Sequence, residues 1–374
     1  SDEKNVPVHW SATDNVCWKT PIPGKGHSSP VVWGDRIFLT TCLEQQQQRT
    51  LLCLDRRDGR TLWQRVVLRA PLEQKHFLNS FASSTPVTDG QHVWVTFLDV
   101  PRMEVFCYDF AGNLVWRRSP GEFHSVHGFC SSPILYKDLL IINGDQDAQA
   151  YIVALHKITG AERWRIDRPN RTRSYCTPAI FHVAGRDQLV LSGSKCVTSY
   201  DPDTGKLLWI IDGPTEQFVA SPVSTEGIIF ITGGFPEHHL IGIRPDGHGN
   251  VTHTHILWHD TRGASYVPSP IAHGHYFFVV SDEGRASCLD AKTGKRLWFQ
   301  RLGRHHSASP VSADGRLYFL DDDGTMFVLA AGPKFKLIAR NALREDCRAS
   351  PALAHGQMFI RTLHNLYCIG QQAK

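Results

Sequence analysis

The sequence predicts an all-β fold, an eight-bladed β-propeller of four-stranded antiparallel blades, and three observations carry that reading. A Trp recurs four residues after a Gly, at Gly59/Trp63, Gly112/Trp116, Gly160/Trp164, Gly205/Trp209 and Gly294/Trp298. Eight Pro residues that follow Ser or Thr mark a regular repeat, Pro30, Pro86, Pro133, Pro178, Pro222, Pro270, Pro310 and Pro351, with spacings of 56, 47, 45, 44, 48, 40 and 41 residues. Between these markers lie short β-rich runs broken by Gly and Asp turns, the pattern of consecutive hairpins. Periods of this size signal propellers or solenoids.

Each element has a local cause. The Ser/Thr-Pro step opens the innermost strand, where a missing N–H costs no ladder bond. Two alternating strands follow, joined by turns such as Asp321-Asp322-Asp323-Gly324. The turn before each Trp strand combines an Asp that can bond its own backbone (Asp55, Asp201, Asp290) with a Gly suited to positive φ. The Trp then offers a large apolar face to an adjacent blade. Trp258 and Trp18 fill the same slot in more degenerate copies, and in the seventh copy Leu337-Ile338 takes the place of the Trp. The blades are expected at about 28–69, 84–119, 131–168, 176–213, 220–262, 268–303, 308–343 and 349–370, the last completed by residues 15–20. The copies require this closure: Val16–Lys19 is a Trp strand without its own blade, and the C-terminal copy has three strands and no Trp. Pairing the two removes two open edges. Residues 1–10 are expected to lie over the surface as a tail.

Composition narrows the function. The 374 residues are 41% hydrophobic, and no run approaches the roughly 20 apolar residues of a membrane span. A net charge of +4 with scattered basic residues gives nucleic acid little to bind. Of ten cysteines, Cys53, Cys107, Cys288 and Cys368 share one slot in the third strands. They are expected to be buried free thiols, since equivalent slots in different blades lie too far apart to bridge.

Asp290-Ala291-Lys292-Thr293-Gly294-Lys295-Arg296-Leu297-Trp298 and Asp201-Pro202-Asp203-Thr204-Gly205-Lys206-Leu207-Leu208-Trp209 resemble the docking motif of the pyrroloquinoline-quinone (PQQ)-like, quinoprotein/BamB-type propeller superfamily. The resemblance covers almost the whole chain. It implies export to the periplasm or secretion from a bacterium; Ser1 is not an initiator Met, so a signal segment is expected to have been removed, and the single propeller is expected to be a monomer. Its quinone-dependent dehydrogenases carry adjacent cysteines over the cofactor. This chain has no Cys-Cys pair, so PQQ is not expected.

In such blades the crossings and the middle hairpins open on one face. The residues before each Ser/Thr-Pro should approach the axis there and form a concave mouth, the default place for a site. The candidate catalytic residues are His127, Tyr175, Arg173 and His306. Those for ligand binding are His27, His76, Asn79, Tyr266, Arg348, Glu216 and Gln217. Arg forks suit carboxylate or sulfate, aromatic rings stack on sugars, and His or Tyr can move a proton. The crossing from Trp63 to Pro86 spans 23 residues where others need 12 to 17, a length usually tied to function or disorder. A divalent metal is left open, with no Cys-x-x-Cys spacing to hold one. The leading expectation is a non-catalytic propeller that binds a protein or polymer on this face. The alternative is a lyase or hydrolase acting on an acidic polysaccharide, with His127 or Tyr175 as base or acid and Arg173 and Arg348 facing the carboxylate. A PQQ-dependent dehydrogenase is a minor third.

Overall fold

A computed structural model of the chain describes residues 2–371. Eight antiparallel sheets follow one another around a ring. Blade 1 occupies residues 31–69, blade 2 87–122, blade 3 134–167, blade 4 179–212, blade 5 223–260, blade 6 271–301 and blade 7 311–342. Blade 8 combines residues 352–369 with the N-terminal strand Val16–Pro21, which pairs antiparallel with Asn365–Ile369 so that Trp18 faces Cys368. The ring therefore closes with the two ends of the chain in one sheet. Apart from a single 3-10 turn at Glu44–Gln46, no helix occurs among the described residues.

The core is divided rather than central. Eight apolar clusters lie one at each blade–blade interface. Each blade is too thin to bury both its faces alone, and stacking around an axis buries them in turn. The short first strands of neighbouring blades touch, which places them innermost. An open cavity of about 460 Å³ lies among them, lined by Phe181, Val223, Ile271, Ala272, Val311 and Leu353, among others.

The Gly–Trp repeat is an inter-blade device. The indole N–H of Trp18 donates to the carbonyl of Arg56 at 2.9 Å, and Trp63, Trp116, Trp164, Trp258 and Trp298 make the corresponding bond to the next blade. The Gly in that next blade's turn lies against the indole. A Cβ on Gly59 would come within 2.5 Å of the Trp18 ring, and Gly112, Gly160, Gly205 and Gly294 are similarly pressed. Directly across each Trp in its own blade is a small residue: Cys53, Cys107, Ala154, Ser199, Gly242, Cys288 or Cys368. The shared cysteine slot is thus the floor beneath the Trp. All ten cysteines are free, and eight of them are buried.

Three expectations are corrected. Register places Ala339, across from Val328, in the Trp slot of blade 7, not Leu337-Ile338. The N-terminal segment is not a superficial tail, because Val6 and Trp10 are buried in the cluster between blades 7 and 8. The Asn341 side chain clips this segment by accepting from the Trp10 N–H and donating to the Val8 carbonyl. A small Ala in the slot leaves space that Trp10 fills from elsewhere in the chain. Trp209 also departs from the rule: it donates to Gln188 in its own blade at 2.8 Å. Blade 5 lacks the Thr-Gly turn that would receive it. Its long third turn instead lays Gly249–Asn250 parallel to the Trp209 strand.

Candidate functional site

Crossings and middle hairpins share one face and are stitched together there. Lys25 pairs with Cys42, Gln217 with Phe235 and Cys347 with Thr362. The expected mouth residues other than His306 sit on this face, but they form two groups rather than one.

The first group spans blades 2 to 6. His127 is its hinge: its carbonyl accepts from the His76 N–H at 3.2 Å and from the Asn79 side chain at 2.9 Å. Its ring lies 5.5 Å from that of His76 and 6.1 Å from that of Tyr175, centroid to centroid. The Tyr175 hydroxyl is 2.8 Å from Ser125 Oγ. The Tyr266 hydroxyl donates to Gln217 at 3.3 Å, and the Tyr266 N–H donates to Asp282 at 2.7 Å. Arg173 is paired with Asp147 at 2.8 Å. Glu216 stands at the rim, 3.8 Å from Lys195, beside a cleft of about 340 Å³ between blades 4 and 5.

Electrostatics fix the protonation of this group. Burial, then the charge of Arg173, pushes the His127 imidazole below its ordinary value. Burial pushes the Tyr175 phenol up and takes that of Tyr266 to about 12. At neutral pH the face therefore shows a neutral imidazole and two protonated phenols. These groups can exchange hydrogen bonds with a ligand, and His127 can accept a proton. His127 and Tyr175 do not bond one another, and Arg173 already has a carboxylate.

His306 stands apart. It is only 2% exposed, with one ring nitrogen 2.9 Å from the Leu320 carbonyl and the other 2.6 Å from the Leu302 carbonyl. In this position it pins a crossing to a hairpin and faces no opening.

The second group lies where blade 8 meets blades 1 and 2. His27 follows Gly26, and its N–H donates to Ala82 O and Ser80 Oγ, both at 3.1 Å. Arg348 donates to the Asp322 carbonyl at 3.1 Å and lies 3.5 Å from its carboxylate. Arg361, which the sequence reading passed over, reaches into this corner from the end of strand Gln357–Arg361. Aligned copies carry the signal that would have found it. Ten residues after each marker Pro stand Thr40, Thr96, Asn143, Gln188, Thr232, Val280 and Leu320, and in the last copy Arg361, the only charged residue of the eight.

Also passed over is an apolar patch on the two crossings that hold His76 and His127. Phe77 is 81% exposed, Leu78 50% and Val126 46%. The unusually long crossing carries two of the three.

Among the described residues no three His, Cys, Asp or Glu side chains converge on a possible metal position. Asp321 accepts from the Thr325 N–H, and Asp322 from Ser307, so this acidic hairpin holds its own turn and a neighbouring crossing. With ten free thiols and no adjacent pair, the vicinal disulfide of quinone-dependent dehydrogenases is not available to this chain.

Comparison with known proteins agrees with the geometry. The family model described as outer membrane protein assembly factor BamB matches residues 2–84, 49–234, 148–273 and 250–332. A protein of that name from Burkholderia pseudomallei (strain K96243) is 31% identical over 103 residues, which is 27% of this chain and 26% of the relative. The crystal structure of BamB from Moraxella catarrhalis superposes with a TM-score of 0.66 at 12% identity, covering 94% of this chain and 98% of that one. Quinohemoprotein alcohol dehydrogenase from Comamonas testosteroni gives 0.67 at 11% identity, over 99% of this chain and 79% of that one. At such identities the superpositions speak for the fold alone. The family model spans most of the sequence, and on that ground the chain belongs to the BamB-type family of PQQ-like β-propellers.

Proposed function

We propose that this propeller is a non-catalytic binding protein that holds a protein partner on its loop-rich face, in the manner of an assembly factor working outside the cytoplasm. The observation that carries the reading is the exposed trio Phe77, Leu78 and Val126 beside His76, His127 and Tyr175. Large apolar side chains grouped on otherwise polar loops mark an interaction surface. The neighbouring imidazole and phenol groups supply hydrogen bonds around an apolar centre, the arrangement of a protein interface. A relative named as an outer membrane protein assembly factor lends support to a protein partner.

Fluorescence anisotropy with labelled amphipathic β-strand peptides, alternating apolar and polar residues, tests this. Burying a Phe or Leu side chain contributes about 1.5–3 kcal/mol. A Phe77→Ser, Leu78→Ser double variant should therefore weaken binding by at least about tenfold while remaining folded. Unchanged affinity in that variant, or no binding by any peptide, dismisses the reading.

A further inference from the structure

We propose that the loop-rich face holds a second site, for a single oxyanion group such as a carboxylate or sulfate, built by Arg361, His27 and Lys75 where blade 8 meets blades 1 and 2. Arg361 is 2% exposed. Its Nη1 donates to the Ser28 carbonyl at 3.0 Å, to Ser28 Oγ at 2.7 Å and to the Thr40 carbonyl at 2.8 Å. These neutral acceptors hold the guanidinium in place without cancelling its charge. Nε is buried and has no acceptor among the described residues. Nη2 lies against Gly26, where a Cβ would come within 2.6 Å of it. No carboxylate of a described residue comes within ion-pair distance of Arg361. The other deeply buried arginines differ: Arg168 pairs with Asp145 and Arg49 with Glu73. Arg49 Nε also lacks an acceptor, yet its charge is matched.

Burying an unmatched ion carries a penalty of several kcal/mol, and an anionic partner relieves it. The surroundings of Arg361 add positive charge. The His27 ring has no hydrogen bond among the described residues. Burial, then the charges of Arg361, Arg348 and Lys75, drives it down to about 3, with no carboxylate opposing them. Arg348 is engaged by Asp322. The Lys75 ammonium rests on the Asn79 carbonyl at 2.7 Å and on the Phe81 ring, and no carboxylate of a described residue comes within ion-pair distance of it. The long crossing walls this corner, since the Ala82 carbonyl accepts from the His27 and Ser28 N–H groups. A bound oxyanion would give the guanidinium its missing acceptor and partner. By returning negative charge to the corner it would also raise the affinity of His27 for a proton.

The test is thermal unfolding and calorimetric titration with sulfate, inorganic phosphate, acetate and glucuronate, each against chloride at matched ionic strength. At least one oxyanion should stabilise the protein saturably, and the NMR titration of the His27 ring should move up by a unit or more in its presence. A response to sulfate or phosphate alone identifies an inorganic or ester oxyanion, and a response to acetate or glucuronate a carboxylate. Either supports the site. Arg361→Met should abolish saturation. His27→Gln and Lys75→Met, which spare the buried guanidinium, should each weaken it at least fivefold and keep the test valid should Arg361→Met not fold. No oxyanion exceeding chloride, or variants that respond like the parent, would overturn the proposal. Phe77 and Leu78 are untouched in these variants, so the outcome is separable from that of the peptide experiment.

Discussion

Two buried guanidiniums, one between blades 3 and 4 and one between blades 8 and 1, show opposite ways of placing a charge in a propeller seam. Arg168 donates to Asp145 at 2.8 and 3.3 Å, to Thr198 Oγ1 at 2.9 Å, to the Tyr200 hydroxyl at 2.7 Å and to the Gly193 carbonyl at 3.2 Å. Every direction is filled, and nothing is left for a ligand. Arg361 occupies a similarly dry seam, yet it has only neutral acceptors on one nitrogen and an idle Nε. Burial alone takes its pKa down to about 9, a value that leaves it charged at neutral pH. A closed network locks two blades together. An open one stores an interaction for something that arrives later.

The largest expected effect comes from opening the closed network. Asp145→Ala leaves Arg168 buried without its partner and should cost about 3–5 kcal/mol in urea unfolding. Arg361→Met removes a charge that had no partner and should cost less than half as much. Equal losses would erase the contrast between the two seams.

Glu345 sharpens the contrast with an acid. Burial raises its pKa, but hydrogen bonds from Lys19, Tyr367, Asn365 and Thr362 outweigh that and hold it at about 2, below the ordinary 4.5. Because the folded value is depressed, this contribution is complete above pH 4.5 and is lost as pH falls towards 2. Glu345→Gln should therefore cost about 2–3 kcal/mol at pH 7 and much less at pH 2. Lys19 belongs to the closing strand, so the loss should unzip the N-terminal segment first, as early amide exchange at Val16–Pro21 would show.

Seams sealed by shape should respond to volume rather than to charge. Gly59→Ala forces a Cβ into the Trp18 ring at a φ of +73° and should cost about 1–3 kcal/mol, independent of pH. Gly34, at +56° with open space around it, should tolerate Ala at a smaller cost. The smallest effect on stability is expected on the face itself. Phe77→Ser should stay within about 0.5 kcal/mol of the parent while losing peptide affinity, because a side chain so exposed contributes little to the fold.

The repeat made most of the architecture legible. Gly59 and Trp63 belong to one hairpin, so their spacing is a local signal that survives in a linear reading. What Gly59 serves, however, is Trp18 from the neighbouring blade, and that is visible only in space. Trp10 escaped for the same reason: it completes a slot left small by Ala339, more than three hundred residues along the chain. At the mouth, the face was foreseeable from strand order, and His76, His127, Tyr175 and Tyr266 do lie on it. Side-chain partnerships were not foreseeable. Arg173 and His306 looked available as letters in a loop, yet one is held by Asp147 and the other by two carbonyls.

By itself the sequence determined the number of blades, their order and the shared closing sheet, because turns, caps and alternation act over a few residues and repeat. The tertiary structure alone decided which charged groups are matched and which remain open. That distinction depends on low dielectric and on partners brought from distant blades, neither of which is written next to Arg168 or Arg361 in the chain.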